Sequence, residues 1–117
     1  MMQKICNLDE FPASGCVEFT LHGEGRDFPC FLVRHEGGLS AYRNCCPHTG
    51  APLNWNPNVF LNVEGTLIQC AIHGAQFRIN DGHCLYGPCA GQSLDPVSVV
   101  MNEGEVWALQ EDVPKVP

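Results

Sequence analysis

The sequence predicts an all-β protein built from short antiparallel strands. Short runs with β-strand composition alternate with turn signals along the chain, and no window keeps a helical apolar period for three turns. The 117 residues include 12 glycines and 9 prolines, which favours many turns over long helices. A chain of this length is expected to form one domain, residues 1–117.

The predicted strands follow one another with clear breaks between them. They cover residues 17–22, 29–35, 39–44, 67–70, 76–79, 97–101 and 105–109. Asn80-Asp81-Gly82 and Asn102-Glu103-Gly104 each separate two runs, and such turn residues predict tight hairpins. Residues 53–62 are irregular and compatible with a short helical turn.

Composition and charge exclude several classes of function. The formal charge is −7, and the six Lys and Arg residues form no cluster, which argues against nucleic-acid binding. The first eleven residues do not resemble an export signal, and no stretch approaches 18 apolar residues, so no membrane span is expected. The expected location is the cytoplasm, where thiols stay reduced.

Eight cysteines in a chain without an export signal indicate metal binding more than disulfides. Two stretches pair a cysteine with a histidine, Cys46-Pro47-His48 and Cys70-Ala71-Ile72-His73, with 21 residues between them. Structural zinc takes two Cys and two His, but its usual spacing pairs Cys with Cys and His with His. A [2Fe–2S] cluster in which two His replace two Cys on one iron needs one of each from each loop.

The stretches CCPHTGAPL and CAIHGAQFRINDGHCLYGP resemble the two cluster-binding loops of Rieske proteins. Gly87-Pro88 resembles the proline-containing loop that covers the cluster in that family. The resemblance extends over about residues 44–89, the expected cluster-binding part. It implies a Rieske-type antiparallel β-sandwich or barrel with a cluster-binding subdomain of two loops.

The resemblance also implies the ligands of one [2Fe–2S] cluster. Cys46 and Cys70 would bind the buried iron through their thiolates, and His48 and His73 would bind the second iron near the surface. The family spacing C-x-H selects Cys46 over its neighbour Cys45.

Four positions depart from the high-potential Rieske proteins of respiratory complexes. Ala51 and Ile72 stand where those proteins have the cysteines of an extra disulfide, and Ala75 and Phe77 stand where they have a Ser and a Tyr. Without those hydroxyl donors to sulfur, the expected reduction potential is low, roughly −150 to 0 mV. The spacer is also longer than in many ferredoxin-type members, so residues 54–65 are expected to form an enlarged loop.

Two cysteines near the expected proline loop, Cys84 and Cys89, have two interpretations. They could form a redox disulfide or supply spare ligands, but the preferred interpretation is two reduced, partly buried thiols near the cluster.

The function implied by the resemblance is that of a one-electron carrier and not an enzyme. It would pass electrons from a flavin- or ferredoxin-type reductase to a terminal oxygenase or reductase. The chain is too short to include the mononuclear iron domain of an oxygenase. One alternative is the small electron-transfer subunit of a permanent complex, similar to that of nitrite reductases. Another is a zinc-stabilised binding module without a redox role.

Overall fold

The computed structural model describes residues 2–23, 26–36, 38–47, 52–54, 58–71 and 74–109. These residues form ten strands and one 3₁₀ helix, Leu8–Glu10. The strands are β1 Met2–Asn7, β2 Cys16–Gly23, β3 Arg26–His35, β4 Gly38–Arg43, β5 Leu67–Gln69, β6 Gln76–Arg78, β7 Cys84–Tyr86, β8 Pro96–Val97, β9 Val99–Asn102 and β10 Glu105–Leu109.

The strands form three sheets, and every pairing is antiparallel. The outer sheet has the order β1-β10-β9, the central sheet β2-β3-β4-β8, and the small sheet β5-β6-β7. The predicted all-β class is therefore confirmed. The part of the chain that the structure describes contains no helix with the length and apolar character that a membrane crossing needs.

The central sheet separates two cores. The aliphatic core consists of the buried residues Leu21, Phe28, Cys30, Leu32, Ala41, Val97, Val106 and Ala108. The cysteine-rich core consists of Cys16, Phe31, Val33, Tyr42, Cys46, Leu53, Phe60, Ile68, Cys70, Ala75, Phe77, Cys84, Cys89 and Leu94. Successive side chains of a strand point to opposite faces, so β3 contributes alternately to each core. Strands buried on both faces are continuously apolar, which accounts for the run Cys-Phe-Leu-Val at 30–33.

The two predicted hairpins are present, with β6 and β7 joined around Asn80-Asp81-Gly82 and β9 and β10 around Asn102-Glu103-Gly104. The sequence did not reveal β1, which pairs with β10 at the edge of the outer sheet. No residue of β1 is fully buried, so it carries little of the alternation that identifies a strand. The described part of 53–62 contains no helical turn, and Leu61 instead forms an isolated bridge to Ile68.

Candidate metal centre

Two of the four predicted ligands, Cys46 and Cys70, lie in the cysteine-rich core. Their relative exposures are 1% and 0%, and each follows the end of a strand, β4 or β5. His48 and His73 lie outside the described residues, and the described residues by themselves form no group of three or more His, Cys, Asp or Glu suited to a metal ion. Two thiols buried in the same apolar core fit the cysteine half of the donor set of a mixed-ligand [2Fe–2S] cluster.

Asn44 fixes the loop that contains Cys46. It is the one buried polar residue among those described, with 5% exposure. Its Oδ1 accepts a hydrogen bond from the Leu53 backbone N–H at 2.7 Å, and its Nδ2 donates to Asn54 Oδ1 at 2.9 Å. Its own backbone N–H donates to the Pro29 carbonyl at 2.9 Å. Asn44 thus ties the start of the first loop to its end through its side chain, and to the central sheet through its backbone.

The second loop closes on itself and on the first loop. The Cys70 N–H donates to the Ala75 carbonyl at 2.8 Å, and the Gly74 N–H donates to the Cys70 carbonyl at 3.0 Å. Gly74 has φ +70°, a conformation that favours glycine and allows this tight return. The Ala71 N–H donates to the Leu53 carbonyl at 2.7 Å, which joins the two loops directly.

Gly87 brings a third segment against the second loop. An added Cβ at Gly87 would lie 2.7 Å from Ala75 Cα, and Gly87 has φ +105°. The segment is held to β7 because the Cys84 N–H donates to the Gln92 carbonyl at 2.8 Å. The predicted Gly87-Pro88 loop therefore packs against the loop that carries Cys70, where only a glycine allows the approach.

Cys84 and Cys89 form a pair of buried thiols, and Cys89 also interacts with Cys46. Both are buried to 1% exposure, so the prediction of partial burial was wrong, because the 84–92 segment folds over the core. Their Sγ atoms are 3.3 Å apart, a hydrogen-bonding and not a covalent distance. Burial and hydrogen bonds with the thiols of Cys84 and Cys46 raise the pKa of Cys89 to about 12. The Cys89 thiol is therefore neutral at physiological pH.

Tyr42 connects the central sheet to the small sheet. Its hydroxyl donates to the Ile79 carbonyl at 2.6 Å, and an added Cβ on Gly82 would lie 2.7 Å from its Cε1. Burial raises the pKa of Tyr42 to about 12, so the hydroxyl remains a donor. The β6–β7 hairpin is thereby seated on β4, the strand that leads into the first loop.

The described part of the predicted enlarged loop, residues 58–65, is anchored to the protein. The Phe60 ring stacks on Phe31 with centroids 4.2 Å apart and planes 8° apart. The Glu18 N–H donates to Asn58 Oδ1, and the Asn58 N–H donates to Glu18 Oε2, both at 2.8 Å. Val63, at the tip, is fully exposed. This segment therefore forms one wall of the cysteine-rich core.

Sequence reasoning missed two features of this centre. Asn44 gave no signal, because an Asn beside a turn is common and its partners lie nine or more residues away. Cys89 and Cys46 are 43 positions apart in the sequence. Their interaction depends on how the 84–92 segment folds, which the sequence does not show. The sequence placed Cys84 and Cys89 near the expected cluster but did not show which residue either of them contacts.

Comparison with known families gives a match over almost the whole chain. Residues 1–113 match the family model of the Rieske [2Fe-2S] domain. No curated protein sequence matches the chain significantly.

Solved structures with the same fold include complete ferredoxins and parts of oxygenases. A chain from a complex of reduced oxygenase and oxidized ferredoxin in carbazole 1,9a-dioxygenase has 23% identity and a TM-score of 0.70, with 93% of each chain covered. The ferredoxin of carbazole 1,9a-dioxygenase from Nocardioides aromaticivorans IC177 has 20% identity and a TM-score of 0.71, with 92% of this chain and 96% of that chain covered. The terminal oxygenase of carbazole 1,9a-dioxygenase from Novosphingobium sp. KA1 has 20% identity and a TM-score of 0.74, but this chain spans only 29% of it.

Proposed function

Because the chain belongs to the Rieske [2Fe–2S] domain family, which carries one [2Fe–2S] cluster, we propose that it is a one-electron carrier and not itself an enzyme. One observation carries this proposal: Cys46 and Cys70 lie buried in one core of a chain that matches the family over residues 1–113. Residues 1–117 would act as a single domain, with the cluster bound by the 44–89 part.

The proposed ligands are Cys46 and Cys70 on one iron and His48 and His73 on the other. Two observations support the cysteine pair: both are buried, and the Ala71–Leu53 hydrogen bond joins their loops. The histidines follow from the C-x-H and C-x-x-H spacings of the sequence.

The bound cluster supplies reversible one-electron chemistry. The chain's own residues hold the two sulfur ligands in a dry, fixed environment. Leu53, Phe60 and Phe77 are buried beside the cysteines in the same core and exclude water from them. The hydrogen bonds of Asn44 keep the first loop in place when the charge of the site changes.

The proposed electron path runs from a flavin- or ferredoxin-type reductase to a terminal oxygenase or similar enzyme in the cytoplasm. Support comes from the likeness to a complete ferredoxin, of which 96% is covered, and to a complex of an oxygenase with its ferredoxin. The net charge of −7 suits a partner with a basic docking face.

The first experiment is the EPR spectrum of the anaerobically purified protein after dithionite reduction. We expect a red-brown protein with a rhombic Rieske-type signal, lost in His48→Ala and in His73→Ala. His22→Ala is the matched control, because His22 is exposed on β2, and it should keep the signal. A colourless protein with one equivalent of zinc, prepared without oxygen and with iron supplied, would refute the electron-transfer function.

A second experiment tests the role of a free carrier. The cluster-loaded protein is expected to be bleached by NADH with a catalytic amount of a flavin-dependent ferredoxin reductase, and recoloured by oxidised terminal oxygenase. Size-exclusion chromatography of the untagged protein from its native source should show it separate from larger chains. Stable co-purification with a large reductase chain would instead support the permanent small-subunit alternative.

A further inference from the structure

The two ligand loops belong to different parts of the fold. The first loop, which carries Cys46, continues β4 of the central sheet, whereas the second loop, which carries Cys70, joins β5 to β6 of the small sheet. A cluster bound by both loops would therefore span two sheets. The separation of its two sulfur ligands depends on the contacts that hold the small sheet against the rest of the protein.

One attachment of the small sheet lies at the second loop itself. The Ala71 N–H donates to the Leu53 carbonyl at 2.7 Å, and the Gln69 N–H donates to the Phe60 carbonyl at 2.8 Å. Both donors are the immediate neighbours of Cys70 in the sequence. An attachment at one end of a sheet acts as a hinge, because the sheet can still turn about it.

Tyr42 supplies a second attachment at the opposite end of the small sheet. Its hydroxyl on β4 donates to the Ile79 carbonyl at 2.6 Å, just beyond the end of β6. Because β6 has three residues, this bond lies about 10 Å along the strand from the second loop. The β6–β7 turn also packs on the Tyr42 ring, since an added Cβ on Gly82 would lie 2.7 Å from it.

Tyr42 is itself held firmly. Its exposure is 2%, and its ring lies 5.9 Å from the Phe31 ring, measured between centroids. Phe31 in turn stacks on Phe60. A hydrogen bond to a fixed side chain at the far end, added to the bonds beside Cys70, fixes the orientation of the small sheet as well as its position.

We propose that Tyr42 is a positioning residue: its hydroxyl prevents the small sheet from turning away from the central sheet, which keeps Cys70 at a fixed separation from Cys46 and retains the cluster. The inference rests on the proposed function where it concerns the cluster. The attachment of the small sheet is a property of the chain alone and can be measured without iron. Loss of a cluster requires its loops to part, so a looser small sheet should release iron faster.

A general contribution to stability is the competing account of this hydrogen bond. Tyr42→Phe would then lower the free energy of unfolding and affect iron release only through unfolding of the whole chain. A variant that weakens the other core separates the two accounts. Val106→Ala serves this purpose, because Val106 is fully buried in the aliphatic core and lies on β10 of the outer sheet.

The test follows iron release from the cluster-loaded protein to an excess of a coloured iron chelator, without denaturant. In Tyr42→Phe, which keeps the ring and removes only the hydroxyl, we expect release to be about threefold to tenfold faster. Tyr86→Phe is the matched control for the chemical change, since Tyr86 is exposed on β7, and its release rate should not change. Val106→Ala should also release iron at the unaltered rate, although its free energy of unfolding falls.

Hydrogen–deuterium exchange of the iron-free protein provides a second readout. In Tyr42→Phe we expect faster amide exchange in β5 and β6 than in the unaltered iron-free protein, and unchanged exchange in β2 and β3. In Val106→Ala, exchange in β5 and β6 should match that of the unaltered protein. A general loss of stability would not produce this pattern.

The outcomes distinguish this inference from the proposed function. Unaltered protein without a Rieske-type signal would refute the proposed function, and the exchange experiment would still decide the role of Tyr42. Unchanged iron release in Tyr42→Phe, or equal acceleration in Tyr42→Phe and Val106→Ala, would overturn the positioning role. If Tyr42→Phe does not retain the cluster, exchange decides: acceleration confined to the small sheet supports the role, and a uniform acceleration overturns it.

Discussion

The aliphatic core and the cysteine-rich core are held together in different ways. The aliphatic core lies between the outer and central sheets, whose strands reach ten residues in β3. The cysteine-rich core is bounded by the small sheet, whose three strands have three residues each, and by loops. Long strand ladders stabilise the first, whereas a few individual hydrogen bonds, such as those of Asn44 and Tyr42, position the second.

This difference predicts which region depends on the cluster for its stability. Paired strands satisfy their own backbone groups whatever is bound. The loops around Cys46 and Cys70 have few ladder hydrogen bonds, and metal binding would supply part of their folding free energy. Four changes, in order of decreasing expected effect, test the contrast.

Cluster removal should produce the largest effect. In protein prepared without iron, we expect amide hydrogen exchange at 44–47, 70–71 and 84–92 to become at least about tenfold faster, because these segments lose a common attachment. Exchange in β2, β3 and β4 should change little, since their ladders remain. Hydrogen–deuterium exchange with mass spectrometry measures both. A uniform acceleration over the whole chain would contradict the contrast.

Asn44→Ala should destabilise the loaded protein by about 2–3 kcal/mol. The change leaves the buried Leu53 N–H without its acceptor and removes the donor to Asn54. Urea unfolding gives the free energy, and Asn102→Ala on the exposed part of β9 is the control, with an expected change within about 0.5 kcal/mol. Equal losses in the two variants would show that Asn44 does not hold the loop.

Gly87→Ala should cost about 1–3 kcal/mol more than Gly91→Ala. Both glycines have positive φ, at +105° and +91°, so both variants carry backbone strain. Only the Cβ at Gly87 meets a neighbour, 2.7 Å from Ala75 Cα, while nothing lies within 4 Å at Gly91. The difference between their free energies of unfolding isolates the close approach. If the two variants have the same free energy of unfolding, the segment around Gly87 can move away from Ala75 without loss of stability.

The smallest expected effect concerns the β6–β7 turn. Hydrogen bonds from Arg78, and then from the His83 backbone N–H, lower the pKa of Asp81. A carboxyl with a lowered folded pKa stabilises the fold above its unfolded pKa of about 3.9, and this contribution is lost as the pH falls through the folded value.

Unfolding of Asp81→Asn beside the unaltered protein tests this at several pH values. The unaltered protein should be slightly more stable at pH 7, and the gap should close below about pH 3.9. Asn80→Ala, in the same turn, is the control, because it changes no ionisable group and its effect on stability should not depend on pH. If the difference in stability between the two proteins persists below about pH 3.9, the Asp81 carboxylate is not its source.

Local pattern and residue type predicted the hairpins, the all-β class and the family. Turn residues such as Asn80-Asp81-Gly82 act within a few positions, so the sequence shows them directly. Cys46 and Cys70 were predicted as ligands because metal sites need particular side chains at particular spacings. These signals do not depend on where the rest of the chain lies.

Features that depend on distant partners were not predictable from the sequence. The reciprocal hydrogen bonds of Glu18 and Asn58 join residues 40 positions apart, and no property of either residue indicates the other. The same holds for β1, whose pairing with β10 gives it strand geometry despite weak alternation. Tertiary context decides such elements more than intrinsic preference does.

The position of β3 between the two cores has a consequence for how this sequence can diverge. Four consecutive residues, Cys30, Phe31, Leu32 and Val33, have at most 1% exposure, so this stretch has no surface on which neutral substitutions can accumulate. In β2, by contrast, buried positions are separated by accessible ones. In a library of all single substitutions, every position from 30 to 33 should therefore be intolerant of substitution. Along β2, tolerant and intolerant positions should alternate.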